Sequence, residues 1–267
     1  MGCCFSGPAI ISAADCGNVD KLREVLSRGD DVNTVDSDNG DTATIRAAYR
    51  GHAECLRMLL DKGANVNTVD SDGDTATILA AIKGHSECLR MLLDKGANVN
   101  TVNHEGMTAT MFAANLGHAE CLSMLLDKGA DVNILDSDGD TAVSYAALSG
   151  HANCITMLLD KGAFINPSGQ SGFTPVMYAA SKGKLGTLQV LLQRGADIRR
   201  RSYNGNTAVM LARNIGYQQC AAMLIQYGAV DEQANAHQIS QDQGSIAKTV
   251  MKSVAKEMVK LAFSALT

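Results

Sequence analysis

The sequence predicts an all-α solenoid in which about seven copies of one helix-turn-helix unit stack side by side. Two series of glycines support this prediction, because both recur every 33 residues and run in step through most of the chain. Their members are Gly51, Gly84, Gly117, Gly150, Gly183 and Gly216, and Gly63, Gly96, Gly129, Gly162, Gly195 and Gly228. A repeat of this length is typical of proteins whose single units cannot bury their own apolar face.

Residues 70–102 contain one complete unit, which begins with a turn and a short helix. Residues 71–74 read Ser-Asp-Gly-Asp, a turn signal. Thr75 is expected to cap a helix that extends to about Lys83, because its side-chain oxygen accepts a hydrogen bond from a free backbone amide. Gly84 is expected to end this helix, since glycine accepts the left-handed conformation that often follows a helix.

A second helix is expected from about Ser86 to Lys95, where Gly96 ends it. Its apolar residues lie at mixed spacings, which predicts burial on more than one side of the helix. These residues are Cys88, Leu89, Met91, Leu92 and Leu93. One unit therefore leaves apolar surface that only a neighbouring copy covers.

Three motifs in this unit resemble a known repeat. They are D-x-x-G-x-T at Asp70 to Thr75, A-A-x-x-G-H at Ala80 to His85 and L-L-x-x-G-A-x-V-N at Leu92 to Asn100, and they recur in phase over residues 8–230. The chain thus resembles the ankyrin repeat family, which implies a helical solenoid that binds partners with its hairpin tips and the exposed part of each first helix. The units cover about 8–35, 36–69, 70–102, 103–135, 136–168, 169–201 and 202–230.

The sequence departs from this family at the T-P-L-H motif. Units two to four read Thr42 to Ile45, Thr75 to Ile78 and Thr108 to Met111 at this place, and only Thr174-Pro175 keeps the proline. In the family the histidine forms local hydrogen bonds around the hairpin. The departure therefore bears on the rigidity of the hairpins rather than on the fold.

Residues 1–7 form a predicted lipidation motif. Met1 to Ser6 fits the N-myristoylation pattern M-G-x-x-x-[ST], with Gly2 as the acylated residue. Cys3 and Cys4 follow directly, and cysteines in this position are frequent palmitoylation sites. A myristoyl chain alone binds membranes only marginally, so the second signal would make the anchor stable. The alternative is a chance match with inert cysteines.

The C-terminal region divides into a polar linker over residues 231–243 and a basic amphipathic helix predicted over residues 244–267. One side of this helix is an apolar stripe, and the other carries four lysines, Lys248, Lys252, Lys256 and Lys260. Such a helix would bind an anionic membrane surface. It could equally cap the last unit of the solenoid, since solenoid ends need a cover. A coiled coil with a partner is a weaker third option.

Candidate partner-binding residues lie at the hairpin tips and on the first helices. Acidic tips would steer a basic partner segment, and large side chains on the first helices would make interface anchors. The competing interpretation of the first-helix residues is packing against the neighbouring first helix. The candidates are Tyr49, Arg50, Asp72, Asp74, Ile82, Lys83, Leu116, Asp138, Asp140, Phe173 and Tyr203.

Metal sites are not favoured by the cysteine and aspartate patterns. Cys55, Cys88, Cys121 and Cys154 recur at one position of four units, and stacked helices lie about 8–10 Å apart. Disulfides need Cα atoms closer than about 7 Å, so these cysteines are expected to be buried thiols, as in a reducing compartment. The aspartate-rich turn at residues 70–74 lacks the glycine and glutamate positions of a calcium loop.

Composition bounds the function further. The net charge of −5 argues against nucleic-acid binding, and 46% hydrophobic residues suffice for a large core. No apolar run is long enough to cross a membrane, and no secretory signal is present. Because no catalytic constellation or cofactor-binding loop occurs, we expect no enzymatic activity and no cofactor.

The leading hypothesis is therefore a monomeric scaffold or adaptor that is anchored by lipid to the cytoplasmic face of a membrane and binds another protein. The alternative is a soluble inhibitor or regulatory subunit of an enzyme, which needs no lipid. A metal-binding protein that uses the acidic tips is a third, weaker hypothesis.

Overall fold

The computed structural model describes residues 7–169 and 171–230 of the chain. These residues form fourteen helices, labelled α1 to α14 in chain order. Their bounds are α1 Ala9–Asp15, α2 Val19–Ser27, α3 Ala43–Arg50, α4 Ala53–Asp61, α5 Ala76–Lys83, α6 Ser86–Asp94, α7 Ala109–Leu116, α8 Ala119–Asp127, α9 Ala142–Ser149, α10 Ala152–Asp160, α11 Pro175–Ser181, α12 Leu185–Gln193, α13 Ala208–Ile215 and α14 Gln218–Gln226. The lipidation motif and the C-terminal helix predicted from the sequence lie outside the described residues.

The helices form two layers. Each odd-numbered helix packs against the next odd-numbered helix, and together they make the first-helix layer. The even-numbered helices pack in the same way to form the second-helix layer, and each first helix also packs against the second helix of its own unit. This arrangement confirms the predicted all-α solenoid.

Capping residues set the ends of the first helices as predicted. The Thr75 Oγ1 accepts a hydrogen bond from the backbone amide of Ile78 at 3.2 Å, and Gly84 has a φ of 70° after the last residue of α5. This satisfies one free amide at the start of the helix and supplies the left-handed residue at its end. The same threonine cap occurs at Thr42, Thr108, Thr174 and Thr207.

The core lies between the two layers. Pairs of alanines, such as Ala80 and Ala81 in α5, are fully buried, and their small size allows the first helices to approach closely. Leu89 and Leu92 of α6 are also fully buried, as are their equivalents in the other units. Because every unit repeats this pattern, one continuous apolar core runs from Ile10 to Ala229.

Backbone hydrogen bonds connect the hairpin tips of adjacent units. The amides of Ser71, His104 and Ser137 donate to carbonyls of the preceding tip at 2.9, 3.0 and 3.0 Å. Isolated antiparallel bridges pair the two arms of three hairpins, at Val35 with Thr42, Val69 with Thr75 and Val102 with Thr108. The hairpins therefore hold one another in place although they lack the family's histidine.

The repeated cysteines are buried, as predicted. Cys55, Cys88, Cys121 and Cys154 are each 1% exposed and have free thiols. Burial raises the pKa of the Cys88 and Cys121 thiols to about 11. Thiols with so high a pKa are weak nucleophiles and poor metal ligands at neutral pH, which fits a packing role.

Candidate partner-binding surface

In units two to four the helix sequences vary mainly on one layer. The second helices α4, α6 and α8 read AECLRMLLD, SECLRMLLD and AECLSMLLD. The first helices α3, α5 and α7 read ATIRAAYR, ATILAAIK and ATMFAANL, so their last two residues differ in every unit. Arg50, Lys83 and Leu116 occupy the last position and are exposed. The first-helix layer thus carries a surface that differs from unit to unit.

The second-helix layer carries a different, self-paired surface. Lys95 contacts Asp61 at 3.2 Å, and Lys128 contacts Asp94 at 2.9 Å, one unit apart in each case. Lys161 with Asp127 and Arg194 with Asp160 continue this series at 3.1 and 2.8 Å. The hydrogen bond and charge of Lys128 lower the pKa of Asp94. The charges of these four pairs are therefore already engaged between units.

Tyr49 is the centre of a cationic cluster on the first-helix layer. The Lys83 Nζ lies 4.5 Å from the centroid of its ring, and the guanidinium carbons of Arg50 and Arg46 lie 5.4 and 5.6 Å away. The ring is half-buried. The structure thus brings together Tyr49, Arg50 and Lys83, three residues that the sequence analysis selected separately.

Asp15 anchors this cluster and was not found from the sequence. Its side chain is 6% exposed and contacts Arg46 at 2.6 Å and Arg50 at 2.8 Å. Burial raises the pKa of Asp15, but hydrogen bonds and charges from the two arginines outweigh this effect and lower it overall. The Asp15 carbonyl also lies 3.1 Å from the His52 Nε2. Arg50 is therefore held in position and remains 47% exposed.

Ile82 and Leu116 continue the same surface into units three and four. Ile82 is half-buried and packs on the core, while Leu116 is 44% exposed at the last position of α7. The carbonyl of Ile82 lies 3.2 Å from the His118 Nε2 of the next unit. This contact fixes the backbone of the last turn of α5 and so the positions of half-buried Ile82 and exposed Lys83.

The tyrosines of units five and six bind hairpin carboxylates. The Tyr178 hydroxyl donates to the Asp140 Oδ2 at 2.7 Å, and the Tyr145 hydroxyl donates to Asp136. Burial and these carboxylates raise the pKa of both phenols. The Phe173 ring lies 5.3 Å from the Tyr178 ring. Asp140 and Phe173, both predicted for partner binding, thus make contacts within the protein.

The predicted acidic tips are partly buried in turn structure. Asp70 Oδ1 accepts from the amides of Asp72 and Asp74 at 2.9 Å each, so this carboxylate stabilises its own turn. Burial raises the pKa of Asp74, whose Oδ1 also accepts from the Asn103 Nδ2 at 3.0 Å. Asp36 and Asp41, two further acids of the hairpin of unit two, are buried.

Four acidic side chains remain exposed at the tips, one in each of units two to five. They are Asp38, Asp72, Glu105 and Asp138. Tyr203 stands at the tip of unit seven with 76% of its surface exposed. Of the predicted tip residues, Asp72, Asp138 and Tyr203 are therefore open to solvent, whereas Asp74 and Asp140 are half-buried.

An exposed apolar row lies beside these acids. It consists of the last residue of each of units one to four, which lies in the first arm of the hairpin that leads into the next unit: Val35, Val69, Val102 and Leu135. Their exposed fractions are 52, 45, 45 and 58%. The sequence analysis did not select them, although their recurrence at equivalent positions is visible in the alignment of the units. We refer to these four residues as the apolar row.

The helical units match a known family over almost all of the described chain. A family model described as ankyrin repeats (3 copies) matches residues 10–103, 95–169 and 165–236. The chain therefore belongs to the ankyrin repeat family, whose fold is a non-enzymatic module for protein–protein interaction.

One solved structure illustrates the similarity. The chain resembles the human ASB11 ankyrin repeat domain, with a TM-score of 0.75 and 26% sequence identity. The match covers 84% of this chain and 99% of that one. A search of curated proteins gives no match. Partner and cellular role must therefore be inferred from the surface of this chain.

Over the residues that the structure describes, no helix is long and apolar enough to cross a membrane. The same residues contain no group of three or more His, Cys, Asp and Glu side chains placed to hold a metal ion.

Proposed function

We propose that this protein is a scaffold or adaptor that binds another protein with its hairpin tips and the exposed first-helix surface of units two to five. The observation that carries this proposal is the distribution of sequence differences between units. In units two to four, residues change at the exposed end of the first helices, while the second helices keep nearly one sequence. A surface that differs from unit to unit distinguishes positions along a partner, whereas a repeated surface does not.

The side chains of this surface favour a partner that presents both apolar and charged residues. Ile82 and Leu116 supply apolar anchors, and Tyr49 with its cations supplies a large, positioned contact. Exposed acids at the tips would steer a basic segment toward units two to five. Arg199, Arg200 and Arg201 are exposed at the other end of the solenoid. The surface charge thus changes from negative to positive along the solenoid, which would fix the direction in which the partner binds.

A pair of matched double variants tests this proposal. Ile82→Arg with Leu116→Arg alters the first-helix layer, and Met91→Arg with Met124→Arg alters half-buried apolar residues of the second-helix layer. We expect the first variant to lower recovery of partner proteins from eukaryotic cells by about tenfold or more and the second to leave it unchanged. Circular dichroism and urea unfolding of both variants establish that each is folded. Equal losses in the two variants would contradict the proposed surface.

We also propose that the N-terminus anchors the protein to the cytoplasmic face of a membrane. The support is the sequence motif with Gly2, Cys3 and Cys4, which lie outside the described residues. The lysines Lys248, Lys252, Lys256 and Lys260, outside them as well, would add attraction to anionic lipid.

Membrane fractionation in eukaryotic cells tests this anchor. We expect the wild-type chain to sediment with membranes and Gly2→Ala to stay in the soluble fraction. If both forms are soluble, the anchor is wrong and the alternative of a soluble regulatory subunit or inhibitor is favoured. If both sediment, the lysine-rich segment is the anchor, which deletion of residues 244–267 then tests.

A further inference from the structure

We propose that the apolar row and the exposed acidic tips bind an extended, cationic segment of a partner protein, in which an apolar residue recurs at every third position with a basic residue beside it. This inference rests on the proposed partner-binding function and names the chemistry of the segment. The apolar row lies outside the first-helix surface described above, and we assign one kind of ligand to it.

The four hairpins at the start of units two to five present the same pair of side chains. An exposed acid follows each member of the apolar row three residues later in the sequence: Asp38 after Val35, Asp72 after Val69, Glu105 after Val102 and Asp138 after Leu135. The row residue offers an apolar contact and the acid offers a charge, so the surface repeats this pair once per unit. A complementary segment must repeat an apolar and a basic residue with the same spacing.

The hairpins hold these pairs in a fixed arrangement. Val35, Val69 and Val102 form the bridges that close their hairpins, and backbone hydrogen bonds of 2.9–3.0 Å join successive tips. The side chains of the row are therefore positioned before any partner binds, which lowers the entropic cost of binding.

The distance between units selects the conformation of the segment. Stacked helices lie about 8–10 Å apart. A polyproline II segment places every third residue on one face with a rise of about 9.3 Å, which fits this interval. Same-face residues of a β-strand are only about 6.6 Å apart, and one α-helical turn rises about 5.4 Å, so neither meets successive units.

The row ends where the units change character. The equivalent residues in the hairpins that lead into units six and seven are Ser168 and Arg201, which are neither apolar nor acidic. Four pairs therefore accommodate about twelve residues of an extended segment.

The chain's own C-terminal segment does not fit this register, because its lysines recur at every fourth residue. An anionic membrane is disfavoured by the exposed acids.

A designed peptide tests the register directly. The probe is a fluorescent 12-residue peptide of four Leu-Lys-Pro triplets, and the control peptide has the same composition in an order in which no two leucines are three residues apart. Fluorescence anisotropy with the full chain is expected to show binding of the first peptide that is about tenfold tighter. Raised salt should weaken this binding, since charge pairs contribute to it.

Matched variants assign the binding to the row. Val102→Lys and Glu105→Lys should each weaken binding of the probe by about tenfold. Val230→Lys alters another exposed valine, and Asp30→Lys alters another exposed aspartate, so both should leave binding unchanged. Urea midpoints of all four variants establish that none unfolds the chain.

Several results would overturn the inference. Equal binding of the two peptides would contradict the proposed three-residue spacing. Equal losses of binding in the row variants and the control variants would contradict the assignment of the site to the apolar row. If deletion of residues 231–267 strengthened binding about tenfold, the row would belong to the chain's own tail rather than to a partner. If Ile82→Arg with Leu116→Arg abolishes partner recovery while the probe does not bind, the inference fails and the proposed function stands. If the probe binds but no variant affects partner recovery, the proposed function fails instead.

Discussion

The second helices α4, α6 and α8 share almost one sequence, whereas the first helices α3, α5 and α7 differ at their exposed ends. The two layers share one core, to which the first helices contribute alanine pairs and the second helices contribute leucines. The layers differ in what they do with their exposed charges. The second-helix layer pairs lysines with aspartates of the adjacent unit, and the first-helix layer leaves a different group in each unit.

Differences between the repeated units of one chain identify its variable surface. Repeated units experience the same packing requirements, so positions that differ between them are free of those requirements. In units two to four these positions are concentrated at the end of the first helix. Buried structural residues therefore differ in physical environment from the residues proposed for partner binding, and the following variants test that difference.

The largest expected effect separates a core leucine from a surface leucine. Leu89→Ala removes a fully buried side chain and should lower the free energy of unfolding by about 3 kcal/mol, because it leaves a cavity. Leu116→Ala, at a site that is 44% exposed, should change it by about 0.5 kcal/mol or less. Urea unfolding measures both. Similar losses would place Leu116 in the core and remove it from the binding surface.

Two glycines with the same backbone conformation provide the next test. A Cβ at Gly84, where φ is 70°, would lie 2.8 Å from the His118 ring of the next unit. A Cβ at Gly96, where φ is 84°, would meet nothing within 4 Å. Gly96→Ala should therefore cost about 1 kcal/mol from backbone strain alone, and Gly84→Ala about 2–3 kcal/mol. Equal urea midpoints for the two variants would show that the histidine contact between units is unimportant.

Two threonines of one helix should respond in opposite directions. Thr75→Val removes the helix cap and should destabilise the protein by about 1 kcal/mol. The Thr77 Oγ1 is buried without a hydrogen-bond partner, so Thr77→Val should stabilise the protein by about 1 kcal/mol. Thermal unfolding compares the variants with wild type. A loss of stability in Thr77→Val would mean that this hydroxyl has a partner.

The smallest expected effect depends on pH. Because burial raises the pKa of Asp74 above 3.8, the folded state binds its proton more tightly than the unfolded state. Its contribution to stability is complete below pH 3.8 and is lost as pH rises through the folded-state pKa. Asp74→Asn keeps an acceptor for Asn103 and should raise the urea midpoint at about pH 7 but not at about pH 3. The exposed Asp72→Asn serves as the control and should show no such difference.

Much of the fold could be predicted because the same short motif recurs. Capping threonine and terminal glycine gave the bounds of α5, and the predicted end of α6 at Lys95 differs by one residue from the observed Asp94. The site was harder to predict. Asp15 pairs with arginines that lie 31 and 35 residues further along the chain, and no local pattern indicates such contacts.

The hairpin tips and the apolar row show a second reason why the site was harder to predict than the fold. Asp72 and Asp74 belong to one turn, yet Asp72 is exposed and Asp74 is half-buried. This difference depends on the neighbouring tip, whose Asn103 donates to Asp74. Likewise, the valines of the row lie in hairpin arms and stay exposed because the neighbouring units do not cover them. Contacts between units are set by the assembled solenoid, so one unit's sequence does not specify them.

Site-specific photo-crosslinking tests the central claim most directly, that the first-helix layer binds the partner. A photoreactive amino acid is placed at Leu116 or, as the control, at Arg90 of the second-helix layer, in the full chain expressed in eukaryotic cells. We expect a discrete crosslinked product from position 116 that Ile82→Arg abolishes, and little product from position 90. Equal products from both positions, or a product from position 90 alone, would contradict the assignment of recognition to the first-helix layer.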